Sequence, residues 1–118
     1  MRAKDAVGRY GENVAARYLQ DQGWELLDRN WRGQAGEIDI VALQGSELVV
    51  VEVKTRSGDT FGHPAEAVTP LKLARLRRLA AQWLHEHDVR PAGVRIDVVA
   101  VRTALQGRAR VEHLVGVQ

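Results

Sequence analysis

The order of patterns along this chain predicts a single α/β domain spanning residues 1–118, a mixed β-sheet flanked by helices in the order α-β-β-β-α-β-β. Three observations carry that prediction. Two stretches have helical periodicity, one from about Asp5 and one opening at Thr69-Pro70. Between them, two arms rich in Val, Ile and Leu, Gly36–Leu43 and Glu47–Lys54, flank Gln44-Gly45-Ser46, the pattern of a β-hairpin with a short loop. A further apolar run follows the second helix, and a helical crossover returns the chain parallel to the strand it left.

Taken in order, Asp5 to Gln22 reads as a helix with Asp5, Arg9, Asn13, Arg17 and Gln20 on a polar stripe. Val7, Val14, Tyr18 and Leu19 lie toward the other side, and Gly23 stops the helix. Glu12 falls at the boundary, on a stripe with Gly8, Ala15 and Leu19 whose small members would let the helix approach the sheet. By itself Glu12 also reads as a solvated flank residue. Trp24–Trp31 is the first strand, with Trp24, Leu26 and Asp28 on one face, and 32–36 is a flexible turn into the hairpin. After Lys54 the segment 55–64 is polar and contains Gly, a loop in which Arg56 would suit a phosphate and His63 a ligand or base.

Thr69 caps the second helix and Pro70 takes its first position. Leu73, Leu76, Ala80, Trp83 and Leu84 form its buried stripe. Arg75, Arg78 and Gln82 are exposed, with Lys72 and Arg77 at the margins. Lys72, Arg75, Arg77 and Arg78 are the densest run of positive charge, either a solvated face or a track for a phosphate backbone. His85 and His87 are too close in sequence for a helical metal pair and suit the helix C-terminus. Strands follow at Val94–Val101, where Arg95 and Asp97 share a face as a salt bridge, and at Arg110–Val115.

The hairpin holds charge where a buried sheet normally refuses it. Leu48–Val53 is apolar almost throughout, as in a strand buried on both faces, yet Asp39, Glu52 and Lys54 interrupt the two arms. If Leu43 and Leu48 are the last pair before the turn, Asp39 lies opposite Glu52, with Cβ atoms roughly 4.5–5.5 Å apart. Two carboxylates at that distance repel unless a cation lies between them, and Mg²⁺ or Mn²⁺ is the simple remedy.

An Asp on one strand followed by Glu-x-Lys on the next resembles the PD-(D/E)XK nuclease superfamily, here Asp39 and Glu52-Val53-Lys54. More closely, Gly11-Glu12, Arg29-Asn30, Gly36-Glu37-Ile38-Asp39, Val51–Arg56 and Phe61-Gly62 resemble the YraN-type family of uncharacterised bacterial proteins. Glu66-Ala67-Val68, Lys72 and Arg95-Ile96-Asp97 continue that likeness over nearly the whole chain. The family is similar in fold to the archaeal Holliday-junction resolvases, which implies a restriction-endonuclease-like core. It also implies a metal-dependent DNA endonuclease acting on branched or duplex DNA. Asp39, Glu52 and the Val53 carbonyl would hold the metal, Lys54 would act on the phosphate or water, and Glu12 would assist. Arg56, Lys72, Arg75, Arg77 and Arg78 would bind DNA. The alternatives are a nucleic-acid-binding protein of the same fold that does not cleave, and a scaffold in which the three charges form a buried ion network.

Whole-chain numbers set the bounds. Hydrophobic residues are 45% and charged residues 27% of the chain, ordinary for a globular domain with a core. There is no Cys, which excludes disulfides, zinc thiolates and a thiol nucleophile. Net charge is +2 with a pI near 9.4, which permits a nucleic-acid partner without requiring one. No signal-peptide core or membrane-length apolar run is present, so a cytoplasmic protein without membrane contact is expected, with a homodimer left open.

Overall fold

The computed structural model describes residues 3–57, 68–103 and 107–117, with side chains from residue 6 onward. His63, Phe61-Gly62 and Glu66-Ala67 lie outside the described residues. The elements are α1 (Ala3–Asp21), β1 (Glu25–Gly33), β2 (Gly36–Gln44), β3 (Glu47–Ser57), α2 (Pro70–Glu86), β4 (Gly93–Thr103) and β5 (Arg110–Leu114). This is the expected order. The strands form one sheet in the order β1-β2-β3-β4-β5, parallel between β3 and β4 and antiparallel elsewhere.

Alternation along β3 explains why a helix covers each face. Val49 and Val51 join Ile40, Ala42, Val99 and Val101 in a core closed by Ala15, Ala16 and Leu19 of α1. Leu48 and Val50 point the other way, into a core with Ile96 and with Leu73, Leu76, Leu79 and Trp83 of α2. The central strand is therefore dry on both sides, as its near-continuous apolar run implies. Local signals set the helix ends. The Thr69 hydroxyl accepts the Lys72 N–H at 3.1 Å, and Pro70 fills the first turn. Gly23, at φ 88°, closes α1 in the left-handed conformation that suits glycine.

Two expectations about β1 are corrected. Arg32 pairs with Glu37 and Gly33 with Gly36, so the strand continues through most of the segment read as a flexible turn, and only two residues connect the strands. The register also shifts between Leu26 and Asp28, a bulge that inserts Leu27. Leu26 packs on the α1 side, whereas Leu27 packs on the α2 side and Asp28 accepts the Trp83 indole N–H at 3.0 Å. Asp28 thus does not share the face of Trp24 and Leu26. His87 stacks on Trp83, with ring centroids 4.0 Å apart, and its Nδ1 meets the Trp83 carbonyl at 2.7 Å.

On the α1 side of β4, Arg95 and Asp97 form the expected salt bridge inside a larger network. Asp97 is fully buried and accepts from Arg95 Nε at 2.8 Å, His113 Nε2 at 2.7 Å and the Gly116 N–H at 2.9 Å. Arg95 also reaches Glu47 at 2.9 Å, and the His113 Nδ1 meets the Tyr18 hydroxyl at 3.1 Å. These contacts tie β3, β4, β5 and α1 together. Among the described residues no helix is long and apolar enough to cross a membrane.

Burial pushes the Asp97 carboxyl up, but hydrogen bonds from His113, Arg95 and Gly116 outweigh it and hold the carboxyl below its ordinary range. As pH falls, the unfolded chain protonates Asp97 before the folded chain does. Its contribution to stability is therefore full above the ordinary carboxylate range and lost as pH drops through the folded value. Acid unfolding of Asp97→Asn followed by circular dichroism should show a flatter dependence on pH below about 4 than wild type. Asp97→Ala, which takes the acceptor away from Arg95, His113 and the Gly116 N–H, should cost about 1–3 kcal/mol in denaturant melts.

Candidate active site

The site is made by a break in the sheet. Pairing between β2 and β3 runs from Gln44/Glu47 through Leu43/Leu48 to Ile40/Val51 and ends there. In the β1–β2 ladder, Arg29/Ile40 and Trp31/Ile38 bracket Asn30 and Asp39. Residues two apart in a regular strand share a face. Here Ile40 packs on the α1 side and Ile38 on the α2 side. Arg29 reaches Glu12 of α1, while Trp31 packs against the α2 core. Both strands change face across Asn30 and Asp39. Asn30 makes this possible by adopting φ 53°, a left-handed conformation that Asn tolerates better than most residues.

Asp39 is turned out of the ladder by this change, and its Oδ2 accepts the Val53 N–H at 2.8 Å. The N–H and C=O of one strand residue project to the same edge, so the Val53 carbonyl faces the same gap. The expected register, with Leu43 against Leu48, is present. The backbone pairing stops one position short of Asp39 and Glu52, and the two carboxyl groups lie near enough for the charge of Glu52 to act on Asp39. Burial, then the charge of Glu52, pushes the Asp39 carboxyl up, to about 7, against the pull of the Val53 N–H.

Glu12 arrives from α1. It is 7% exposed, and Arg29 Nε and Nη2 and Asn30 Nδ2 all donate to its Oε1, at 3.2, 3.1 and 2.7 Å. The close approach of α1 comes at Gly11 rather than Gly8. A Cβ on Gly11 would fall 1.8 Å from Thr55 Oγ1, whereas one on Gly8 would meet nothing. An open cleft of about 710 Å³ results, lined by Glu12, Asn30, Asp39, Val53, Lys54 and Arg56 among others.

Lys54 lies in that cleft, and burial, then the charge of Lys72, lowers its pKa. Lys72 is the residue that sequence reasoning placed differently. Its ammonium pairs with Glu52 Oε2, so it belongs to the site rather than to an outer face. The signals for this were its place among the residues that carry the family resemblance and its position in the first turn of the helix that follows β3. The other three cations of α2 are exposed but do not share one side. Arg75 lies beside Gly36 of β2, while Arg77 lines a separate groove with Arg95 and Gly116 near β4.

Among the described residues no three His, Cys, Asp or Glu side chains stand close enough to enclose a metal ion by themselves. The oxygen donors beside Lys54 are the Asp39 carboxyl, the Val53 carbonyl and, behind them and paired with Lys72, the Glu52 carboxyl. That set fits a hard divalent cation that keeps much of its shell as water or phosphate. It lacks the imidazole or thiolate that zinc sites usually include.

A family model described as uncharacterised protein family UPF0102 matches residues 11–101. The UPF0102 protein of Beutenbergia cavernae is 65% identical over 117 residues, 99% of each chain. That of Arthrobacter sp. is 57% identical over 117 residues, again 99% of each. That of Streptomyces coelicolor is 56% identical over 119 residues, 99% of this chain and 92% of the relative.

Two outcomes test the geometry. Between about pH 4 and 7 folded Asp39 holds a proton that the unfolded chain has lost, so stability falls as pH rises through that window. In EDTA, the melting temperature of Asp39→Asn should lack this fall and lie above wild type at pH 8; parallel curves would remove the carboxyl pair from the argument. Gly11→Ala should destabilise by about 1–3 kcal/mol through overpacking, and adding Thr55→Ala should restore part of it in a double-mutant cycle.

Proposed function

We propose that this chain, which belongs to uncharacterised protein family UPF0102, hydrolyses phosphodiester bonds in DNA with Mg²⁺ or Mn²⁺, on a nuclease-like core. One observation carries the reading: the half-buried Asp39 carboxyl stands beside the buried Glu52 carboxyl and a lysine at an open cleft, where burial and the charge of Glu52 push Asp39 up to about 7. When bound, the cation would polarise the phosphate and lower the pKa of a water.

The chain's own residues divide the remaining work. The Val53 N–H fixes the Asp39 carboxyl, and β3 fixes Glu52 beside it. Glu12, clamped on one oxygen by Arg29 and Asn30, keeps its other oxygen for a water. Lys54 is a compact donor for the charge that grows on the phosphoryl oxygens, and its half-dry surroundings strengthen that contact. Branched DNA as the preferred substrate rests on family resemblance alone.

A second reading, a binder that does not cleave, is favoured by the Lys72–Glu52 pair, since an ammonium already answers one carboxylate. Labelled linear, flap and four-way-junction DNA incubated with Mg²⁺, Mn²⁺ or EDTA separates the two. Hydrolysis predicts metal-dependent products. Lys54→Ala should then slow single-turnover cleavage on the order of a hundredfold to a thousandfold, with binding nearly unchanged. Lys54→Arg should rescue poorly, because a planar fork replaces a point charge. Substrates left intact by wild type under every condition would remove hydrolysis and leave the binder.

A further inference from the structure

The sheet register brings together three arginines that are far apart in sequence. Arg56 of β3 pairs with Arg102 of β4, and Arg102 pairs in turn with Arg110 of β5. They form a row across three neighbouring strands, each step about 4.8 Å. Their face follows from alternation. Val53, Val99, Val101 and Val111 pack on the α1 side, so Arg56, Arg102 and Arg110 stand on the other. Lys54 stands on that same face, two residues from Arg56 and inside the cleft. Arg56 and Arg110 are exposed, and Arg102 is partly so.

Glu112, opposite Ala100, stands on the same face. The row begins where the cleft ends. A polyanion lying on it would run from β5 across β4 to Lys54, which leads one of its phosphates to the carboxyl pair. Along α2, by contrast, Arg75 and Arg77 diverge to opposite flanks and Lys72 is engaged by Glu52.

We propose that Arg56, Arg102 and Arg110 form the track for a phosphodiester backbone, delivering it across the ends of β5, β4 and β3 into the cleft. The inference rests on the nucleic-acid reading above and adds the surface that does the binding. Arg102 and Arg110 are the residues it newly assigns.

The test is fluorescence anisotropy in EDTA, over a series of NaCl concentrations, with a labelled 20-base-pair duplex and its single strand. Wild type, Arg110→Gln, Arg102→Gln/Arg110→Gln and Arg75→Gln/Arg78→Gln are compared. Each lost phosphate contact should reduce the slope of log affinity against log salt by roughly 0.9 on duplex and 0.7 on single strand. The double sheet variant should therefore lose about twice the change of Arg110→Gln alone, while the α2 variant keeps the wild-type slope. Arg110 is exposed, so its single variant gives a readout free of folding effects. DNA binding by wild type with an unchanged slope in the sheet variants overturns the row and leaves the nucleic-acid reading intact. A slope that falls only in the α2 variant overturns it in favour of the helix. No binding by wild type to either DNA overturns both. A slope that falls as expected supports the row even if no substrate is ever cleaved.

Discussion

A buried strand N–H needs an acceptor, and at Val53 the acceptor is a side chain. Once Asp39 supplies it, at 2.8 Å, β2 has no further reason to stay in register with β3. Much of the site follows from that exchange. The ladder stops at Ile40/Val51, the edge of β3 beyond it opens, and Val53, Lys54 and Arg56 line a cleft. The exchange also requires Asp39 to leave the pleat. Its neighbour Asn30 therefore turns left-handed, and the donor so displaced reaches Glu12. A carboxylate from the helix thus faces the gap because the backbone of β1 is bent there.

Gathering Glu12, Asp39 and Glu52 raises an electrostatic cost that the chain meets with three different devices. Glu12 takes a guanidinium and an amide, Glu52 takes the Lys72 ammonium, and the Asp39 carboxyl is pushed up to about 7. Only the last two are exchangeable for a metal without dismantling secondary structure. Arg29 and Asn30 lie within a strand, whereas Lys72 ends in a flexible stem at the first turn of α2. The arrangement therefore separates a fixed acid from two that can release their present counter-charge. That ordering fits metal ligation by Asp39 and Glu52, with Glu12 acting at one remove.

Much of the fold was legible because its signals are local. Val-rich arms around Gln44-Gly45-Ser46 fix the hairpin, Thr69-Pro70 fixes the start of α2, and a single crossover fixes the parallel pair. Asp39, Glu52 and Lys54 stood out as charges inside apolar strands. Features that depend on one inserted residue were not legible. The Leu27 bulge moves Asp28 to the opposite face, and no alternation pattern announces it. Nor did helix periodicity reveal that Lys72 meets Glu52, because that contact depends on where α2 lands over β3. The arginine row was hidden for the same reason, since its members are 46 and 8 residues apart in sequence and meet only through register.

The sheet carries a second buried acid, and the contrast between the two sites separates structural charge from chemical charge. Asp97 has four hydrogen bonds, no exposure and a lowered pKa, and its partners come from β4, from β5 and from the segment after it. Each of its interactions is closed within the fold, so nothing is left for a ligand to satisfy. Asp39 has one backbone donor, a second carboxyl beside it and a raised pKa, and it borders an open cleft. An arrangement that served stability alone would have given Asp39 what Asp97 has. An amide in place of one carboxyl would remove that repulsion in a scaffold, whereas a cation held between them would make use of both.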